Sequence, residues 1–500
     1  MRKIKRGFAL ILAILMLLPV VIACQKKDTL QGKDSTPQGE VTTSGDDTKK
    51  YEYDENGYVK DRIPDKKYNG EEVHFLCWTS SINFTLPEEN MKHEVIEKVY
   101  LRRLEIEERL NIKLKFSTEK GEYQDGDTFL AKARLSGENG YDLICSYSLW
   151  PAQLAQEGYL HNLLNFEFPQ LDMPWWPQSI SEWEQNGSLF FISSNSSVQT
   201  INCMEVMFCN SSMFVNRGMK DPVTLALEGN WTMDTMLQYV KNFQDNIDSS
   251  DSVYGLAVDD HSRMDCFYYG AGFNSTRNNA EGVAEIPFTS ESEIDRITTL
   301  IDKMVPVWNS SAVTIEKNTA QLMVENKTAL MVASLAWIKN LNDLNYAPIP
   351  APKLDSDQKD YKVIQNNGYD VWCIPVGAKN PELSAILIEA VASSDYRDIA
   401  PFYFDKYMKL RYSSDTVSSQ MFELVRSSII YDFGRINQKP LQGIAEAAWR
   451  WCFWDYGADM PRAEQVYSSY IQRRGTEVTI LLKEILANYR KYQNAEGAGS

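Results

Sequence analysis

Several residue types in this chain could do bond-making chemistry, but their spacing does not support it. There are 68 Asp and Glu, 8 Cys and 4 His. Adjacent acids such as Glu88-Glu89 and Asp259-Asp260 arise by chance in so acidic a chain. They read as solvated faces rather than the paired carboxylates of a glycosidase. No Gly-x-Ser-x-Gly elbow, phosphate-binding loop or His-Glu-x-x-His motif is present. Cys77, Cys145, Cys203, Cys209, Cys266, Cys373 and Cys452 are scattered among hydrophobic residues without Cys-x-x-Cys or Cys/His spacing, so zinc has no support and buried free thiols are expected. The aromatic residues are the other signal, with 26 Tyr, 20 Phe and 12 Trp. Most should be core, but so many amphipathic rings also suit a ligand cleft. The expectation is therefore noncovalent binding, with no cofactor and no metal.

The elements that must position these rings alternate. Val73–Trp78 is a compact apolar strand signal, and His93–Leu110 carries Val95, Val99, Ile106 and Leu110 at helical spacing. Ile112–Phe116 alternates as a second strand, Thr128–Leu135 reads as a helix, and Asp142–Cys145 as a third strand before a helix at Pro151–Glu157. Further strands are expected at 189–192, 205–208, 254–258, 329–333 and 371–375, with helices at 232–243 and 290–304. From Pro381 to about Tyr492 the pattern is mainly helical. Alternating strands and helices imply parallel, doubly wound α/β sheets. In such sheets ligands sit beyond the carboxyl ends of the strands, which singles out the loops after Trp78 and Cys145.

Length and composition bound the rest. Five hundred residues exceed one ordinary core, and 43% hydrophobic with 24% charged residues describes a globular chain. A net charge of −17 without a long basic run excludes a nucleic-acid binder. Arg2, Lys3, Lys5 and Arg6 precede an apolar run from Phe8 to Ala23, broken by Pro19, which reads as a signal peptide over 1–23. From Gln25 to Lys67 the chain is polar and nearly free of aliphatic residues, so a disordered tether over 24–67 is expected. A disordered tail is expected at 493–500. Val21-Ile22-Ala23-Cys24 resembles the lipobox of bacterial lipoproteins, which implies that Cys24 carries the lipid and holds the body on the outer face of the cytoplasmic membrane.

Five further segments occur in one family's order. Tyr141-Asp142-Leu143-Ile144, then Leu154-Ala155 through Gly158 to Leu163, is similar to its "YDL(I/V)…LA..G.L.DL" pattern. Phe208-Cys209-Asn210-Ser211-Ser212-Met213-Phe214 resembles "YYNKDLF", with Cys209 and Ser211 as departures. Asn230-Trp231-Thr232-Met233-Asp234 resembles "P.TWDE", Glu325–Met331 resembles "F..GK.AM", and Ala347-Pro348-Ile349-Pro350 resembles a crossover. Together they resemble the extracellular solute-binding proteins of ABC-type carbohydrate importers.

That resemblance implies a periplasmic-binding-protein-like fold. One α/β lobe would hold 68–209 plus 315–347 and the other 210–314 plus 348–492, with crossovers near Cys209-Asn210, Ser310–Thr314 and Tyr346–Pro350. It implies a non-catalytic monomer that delivers a carbohydrate to importer permease subunits. The ligand-contacting candidates are Trp78, Thr79, Tyr147, Trp150, Asn210, Tyr268, Trp337, Tyr369 and Trp372. Trp175, Trp176, Trp449, Trp451 and Trp454 are expected in packing. A surface glycan-processing enzyme, or a peptide or amino-acid binder on the same fold, stays open.

Overall fold

In the computed structural model, residues 51–89, 92–243, 252–341, 346–404, 416–453 and 466–493 are described. The expected leader, Cys24, the expected tether up to residue 50, Trp454 and residues 494–500 lie outside them. The described residues from Glu52 onward belong to one compact unit.

This body begins earlier than the expected boundary at residue 68. Tyr53 bridges Val59, and Val59 and Ile63 are buried. Asp61 pairs with Arg109 at 2.6 Å and with Arg397 at 3.2 Å. Ion pairs to a buried carboxylate order a segment that apolar content alone would leave loose. At the other end, Gln493 donates its side-chain amide to the Gly187 carbonyl at 3.2 Å, so it is not part of a free tail.

In chain order the strands are β1 (Glu71–Trp78), β2 (Ile112–Glu119), β3 (Leu143–Tyr147), β4 (Glu205–Asn210), β5 (Tyr254–Val258), β6 (Arg277–Asn278), β7 (Ala284–Glu285), β8 (Val313–Ile315), β9 (Thr328–Ser334), β10 (Tyr346–Ile349) and β11 (Asp370–Cys373). The first sheet has the order β11-β3-β1-β2, and the second β10-β4-β9-β5-β8. β6 and β7 form a separate ribbon. Parallel neighbours need a crossover, and helices supply it. α1 (Glu94–Leu110) links β1 to β2, α2 (Gly126–Arg134) links β2 to β3, and α3 (Leu149–Gln156) follows β3. α4 (Met233–Lys241) precedes β5, and α5 (Glu291–Trp308) lies between β5 and β8. α6 (Pro381–Ser394) follows β11, and α7 (Tyr467–Lys491) is the last helix described.

Local sequence explains these elements. Asn111 ends α1 in the left-handed conformation at φ 50°, a role asparagine tolerates well. Thr232 accepts from the Thr235 amide to start α4, and Ser290 accepts from the Glu293 amide to start α5. β1 is central and buried from Val73 to Trp78, whereas β2 at the sheet edge alternates, with Lys113 and Lys115 exposed.

Four expectations need correction. The sheets are mixed, because β11 runs antiparallel to β3, and β4 antiparallel to both β9 and β10. β9, expected in the first lobe within 315–347, pairs with β4 and β5 in the second sheet. β11, expected in the second lobe within 348–492, pairs with β3 in the first. The crossovers placed near Cys209-Asn210, Ser310–Thr314 and Tyr346–Pro350 fall within the second-sheet half. The described segments that run between the sheets are 193–204 and 350–369. Short apolar runs look alike in sequence, and pairing rather than pattern decides which sheet takes each one.

Candidate functional site

At the first sheet's carboxyl edge, Trp78 ends β1, Tyr147 ends β3, and Asp370, which starts β11, is registered opposite Tyr147. The Trp78 indole donates to Asp370 Oδ1 at 3.3 Å, and the Ser81 hydroxyl donates to the same oxygen. Burial pushes the Asp370 carboxyl up to about 7, against the opposing pull of these hydrogen bonds. The Trp78 ring meets Tyr147 edge-on at 5.5 Å, and Tyr147 stacks on Trp150 at 5.5 Å and 27°. Trp150 donates its indole N–H to the Gly121 carbonyl at 2.6 Å. Its ring lies against Gly126, where any Cβ would collide with it. Trp78 and Trp150 are buried, Tyr147 is half-buried, and Tyr123 at the rim is 51% exposed.

The second sheet's edge is polar. Arg263 pairs with Glu205, the first residue of β4, at 2.6 Å and with Asp259 at 2.8 Å. It also donates to the hydroxyl of Ser334, the last residue of β9, at 3.0 Å. Because β4 runs antiparallel to β9, its amino end lies at this edge.

The two edges meet across the connecting segments. Met204 bridges Gln365, and the Asn366 amide donates to the Cys203 carbonyl at 2.8 Å. The Asn366 side chain donates to Ser334 at 2.6 Å, while the next residue's carbonyl, Asn367 O, accepts from the Ser148 hydroxyl at 2.9 Å. Consecutive asparagines thus hold one edge each. Gln365 lies five positions before Asp370, a span of at most about 17 Å.

Here the chain leaves polar atoms unfilled. Glu205 Oε2, Gln365 Nε2, Asn367 Oδ1 and Asp370 Oδ2 are buried without hydrogen-bond partners, the Cys145 thiol adjoining the Asp370 carboxyl. Each such group costs about 1–3 kcal/mol unless something satisfies it. Glu205 Oε2 and Asn367 Oδ1 accept, Gln365 Nε2 donates, and Asp370 Oδ2 accepts when ionised and donates when protonated, so hydroxyls, which do both, complete the set. Ring faces beside unfilled acceptors can hold a ligand with apolar faces and many hydroxyls. Among the described residues no group of His, Cys, Asp and Glu is placed to hold a metal ion.

The nine expected site residues divide. Trp78, Tyr147 and Trp150 come together, with exposed Thr79 beside them. Tyr369 adjoins this group in sequence but is buried edge-on against Tyr431 at 6.0 Å. Trp372 lies two residues beyond Asp370 and stacks on Phe75 at 5.5 Å, as a core residue does. Tyr268 is buried against Tyr269 and Trp449, its hydroxyl on the Asn274 carbonyl. Asn210 ends β4 and donates to Asn326 at 2.8 Å. The antiparallel course of β4 puts it at the opposite end of the second sheet from Ser334. Trp337 is half-buried on the turn after β9, whose Ala336 and Ile338 line a pocket of about 150 Å³ with Phe84 and Val95 of the first-sheet half.

Sequence reasoning missed Ser81, Tyr123, Glu205, Arg263 and Asn366-Asn367. Only Asn366-Asn367-Gly368 carries a local signal, a turn-forming run just before a strand.

No protein-family model and no curated protein matches the chain. Solved structures do. The sugar-binding protein MalE of Xanthomonas citri superposes with a TM-score of 0.55 at 11% identity, over 85% of this chain and 100% of that one. The galacto-N-biose/lacto-N-biose I-binding protein of a Bifidobacterium longum ABC transporter, in complex with lacto-N-biose, gives 0.53 at 10% identity over 84% and 98%. An ABC transporter solute-binding protein of Thermotoga lettingae bound to α-D-tagatose gives 0.50 at 14% identity over 83% and 100%. The fold is the periplasmic-binding-protein fold that the sequence implies.

Proposed function

We propose that this chain is a non-catalytic solute-binding protein that captures a carbohydrate between its two sheets and delivers it to an ABC importer. The observation that carries the reading is the coincidence of the Trp78–Tyr147–Trp150 rings with unfilled polar atoms where the two edges meet. Sugar C–H faces stack on rings, and sugar hydroxyls fill buried acceptors. The structural neighbours named above, sugar-binding and ABC-transporter solute-binding proteins, support it. In this reading Thr79, Tyr147, Trp150 and Trp337 contact the ligand. Cys24 carries the lipid anchor, and the body works as a monomer outside the cytoplasmic membrane.

A thermal-shift panel of tagatose, maltose, lacto-N-biose and longer oligosaccharides tests it. A sugar at 100 times its dissociation constant adds about 2.7 kcal/mol to stability. Chromatography of the recovered sugar should show it intact, and cleavage at enzyme-like turnover would overturn the reading. Cys24→Ala should abolish membrane attachment and fatty-acid labelling.

A further inference from the structure

The segment 432–442 belongs to both halves of the body. Its first part is pinned to the second-sheet half. Asp432 accepts from the Ser275 amide at 2.9 Å and the Thr276 amide at 3.3 Å, and the Gly434 amide donates to Thr276 Oγ1 at 2.7 Å. Arg435 is buried in a pair with Asp265. The turn that follows reaches the first-sheet half. Asn437 Oδ1 accepts from Gln156 of α3 at 3.4 Å, and Gln438 Oε1 accepts from Asn367 at 3.0 Å. The Lys439 ammonium lies 3.9 Å above the Tyr123 ring and 5.8 Å from the Trp150 ring centre.

Two further ties join the same halves. Gln185, fully buried, donates to Asn278 Oδ1 and accepts from the Ala284 amide, both at 2.8 Å, binding the β6–β7 ribbon to the first-sheet half. α7 packs Gly475 against Thr289 near its start, while Tyr489 near its end meets Phe190 at 5.0 Å.

We propose that the turn 437–442 is a clasp across the cleft. The chain's own contacts hold the halves near their binding-competent spacing, and Lys439, seated on Tyr123 and Trp150, is a positioning residue through which the clasp sets affinity. The reasoning is one of populations. Apparent affinity is the intrinsic affinity multiplied by the competent fraction, so a clasp that keeps the closed arrangement populated removes a cost the ligand would otherwise bear. Each tie is individually modest, and the Lys439 contact is exposed, so the clasp can release. The affinity part rests on the proposed carbohydrate-binding function. The part concerning shape does not.

The test compares the full chain with the Gln438→Ala/Lys439→Ala double variant, whose side chains are exposed or half-exposed, so that folding is retained. Gln185→Ala is a second variant that cuts a different tie. Small-angle scattering without sugar should give a larger radius of gyration for the double variant than for wild type, and larger again when Gln185→Ala is added. With whichever of maltose, lacto-N-biose or tagatose binds wild type, the double variant should return to the wild-type radius and bind about 3–10-fold more weakly. Equal radii without sugar overturn the clasp. A weaker affinity with equal radii also overturns it, because Lys439 would then be a direct ligand contact. If none of these sugars binds, the functional reading fails while the sugar-free scattering still decides the clasp.

Discussion

The indole N–H of Trp78 reaches Oδ1 of Asp370 at 3.3 Å, joining residues 292 positions apart at the first sheet's carboxyl edge. The acceptor is a carboxyl that burial pushes up to about 7. Burial also pushes Asp395 and Glu389 up to about 7 and Asp432 to about 6. Between about pH 4 and 7 the native state keeps protons that the unfolded chain gives up, so stability falls as pH rises through that window and then levels off. Asp265, where burial is outweighed by Arg450 and Arg435, is held below the usual range and acts only in stronger acid. Melting temperatures should therefore decline from pH 5 to pH 8, and Asp370→Asn should flatten part of the decline. A melting temperature that climbs across this range would contradict the assignment.

Glu389 offers a contrasting case. It accepts from the Trp175 indole at 3.1 Å, the Trp176 indole at 3.0 Å and the Gln170 amide at 3.1 Å. Every partner is a donor, so Glu389→Gln turns an –NH₂ towards at least one of them. The variant should lose about 1–3 kcal/mol in urea unfolding at neutral pH. Unchanged stability would mean that the carboxyl is not filling those donors.

Tyr147 and Trp372 separate site from core. Tyr147→Ala removes a half-buried ring between Trp78 and Trp150, and should weaken sugar binding by about 1–4 kcal/mol. Trp372→Ala empties a space stacked on Phe75 and should cost about 3–5 kcal/mol of stability. Calorimetric titration and melting on both variants would reverse the assignment if the losses were exchanged.

Gly126→Ala should act on Trp150 from a distance of one side chain. The new methyl would occupy the indole's place, so the ring must swing off the Gly121 carbonyl and off Tyr147. A loss of about 1–3 kcal/mol and a changed near-ultraviolet circular dichroism are expected. Gly137→Ala has open space around its Cβ and serves as the control, with no change in either signal.

Much of this arrangement is legible in the sequence, and the exceptions share a cause. Strand β5 appears in the hydrophobic pattern with its observed bounds, and α1 and β1 within a few residues, because each buries a periodic face or a continuous apolar run. The Trp78 and Tyr147 edge is legible because each ring closes an apolar strand run and polar residues follow it. What pattern does not reveal is partnership. Asn210 looks like a site residue until β4 turns out antiparallel, and Trp372 until Phe75 is found beneath it. Asp61 reads as part of a loose polar run because Arg109 and Arg397 lie 48 and 336 positions away.

That Asp61 pairing also sets a mechanical path. A pull on the chain from its N-terminal side arrives at Asp61, whose carboxylate is buttoned to Arg109 at the end of α1 and to Arg397 beyond α6. Both arginines belong to the helical layer of the first sheet, so the load is borne there. The second sheet, joined through 193–204 and 350–369 and through the ties at 437–442, Gln185 and α7, lies off that direct line. Tension reaches the polar edge of Glu205, Arg263 and Ser334 only through those ties, so the helical layer of the first sheet takes the load first.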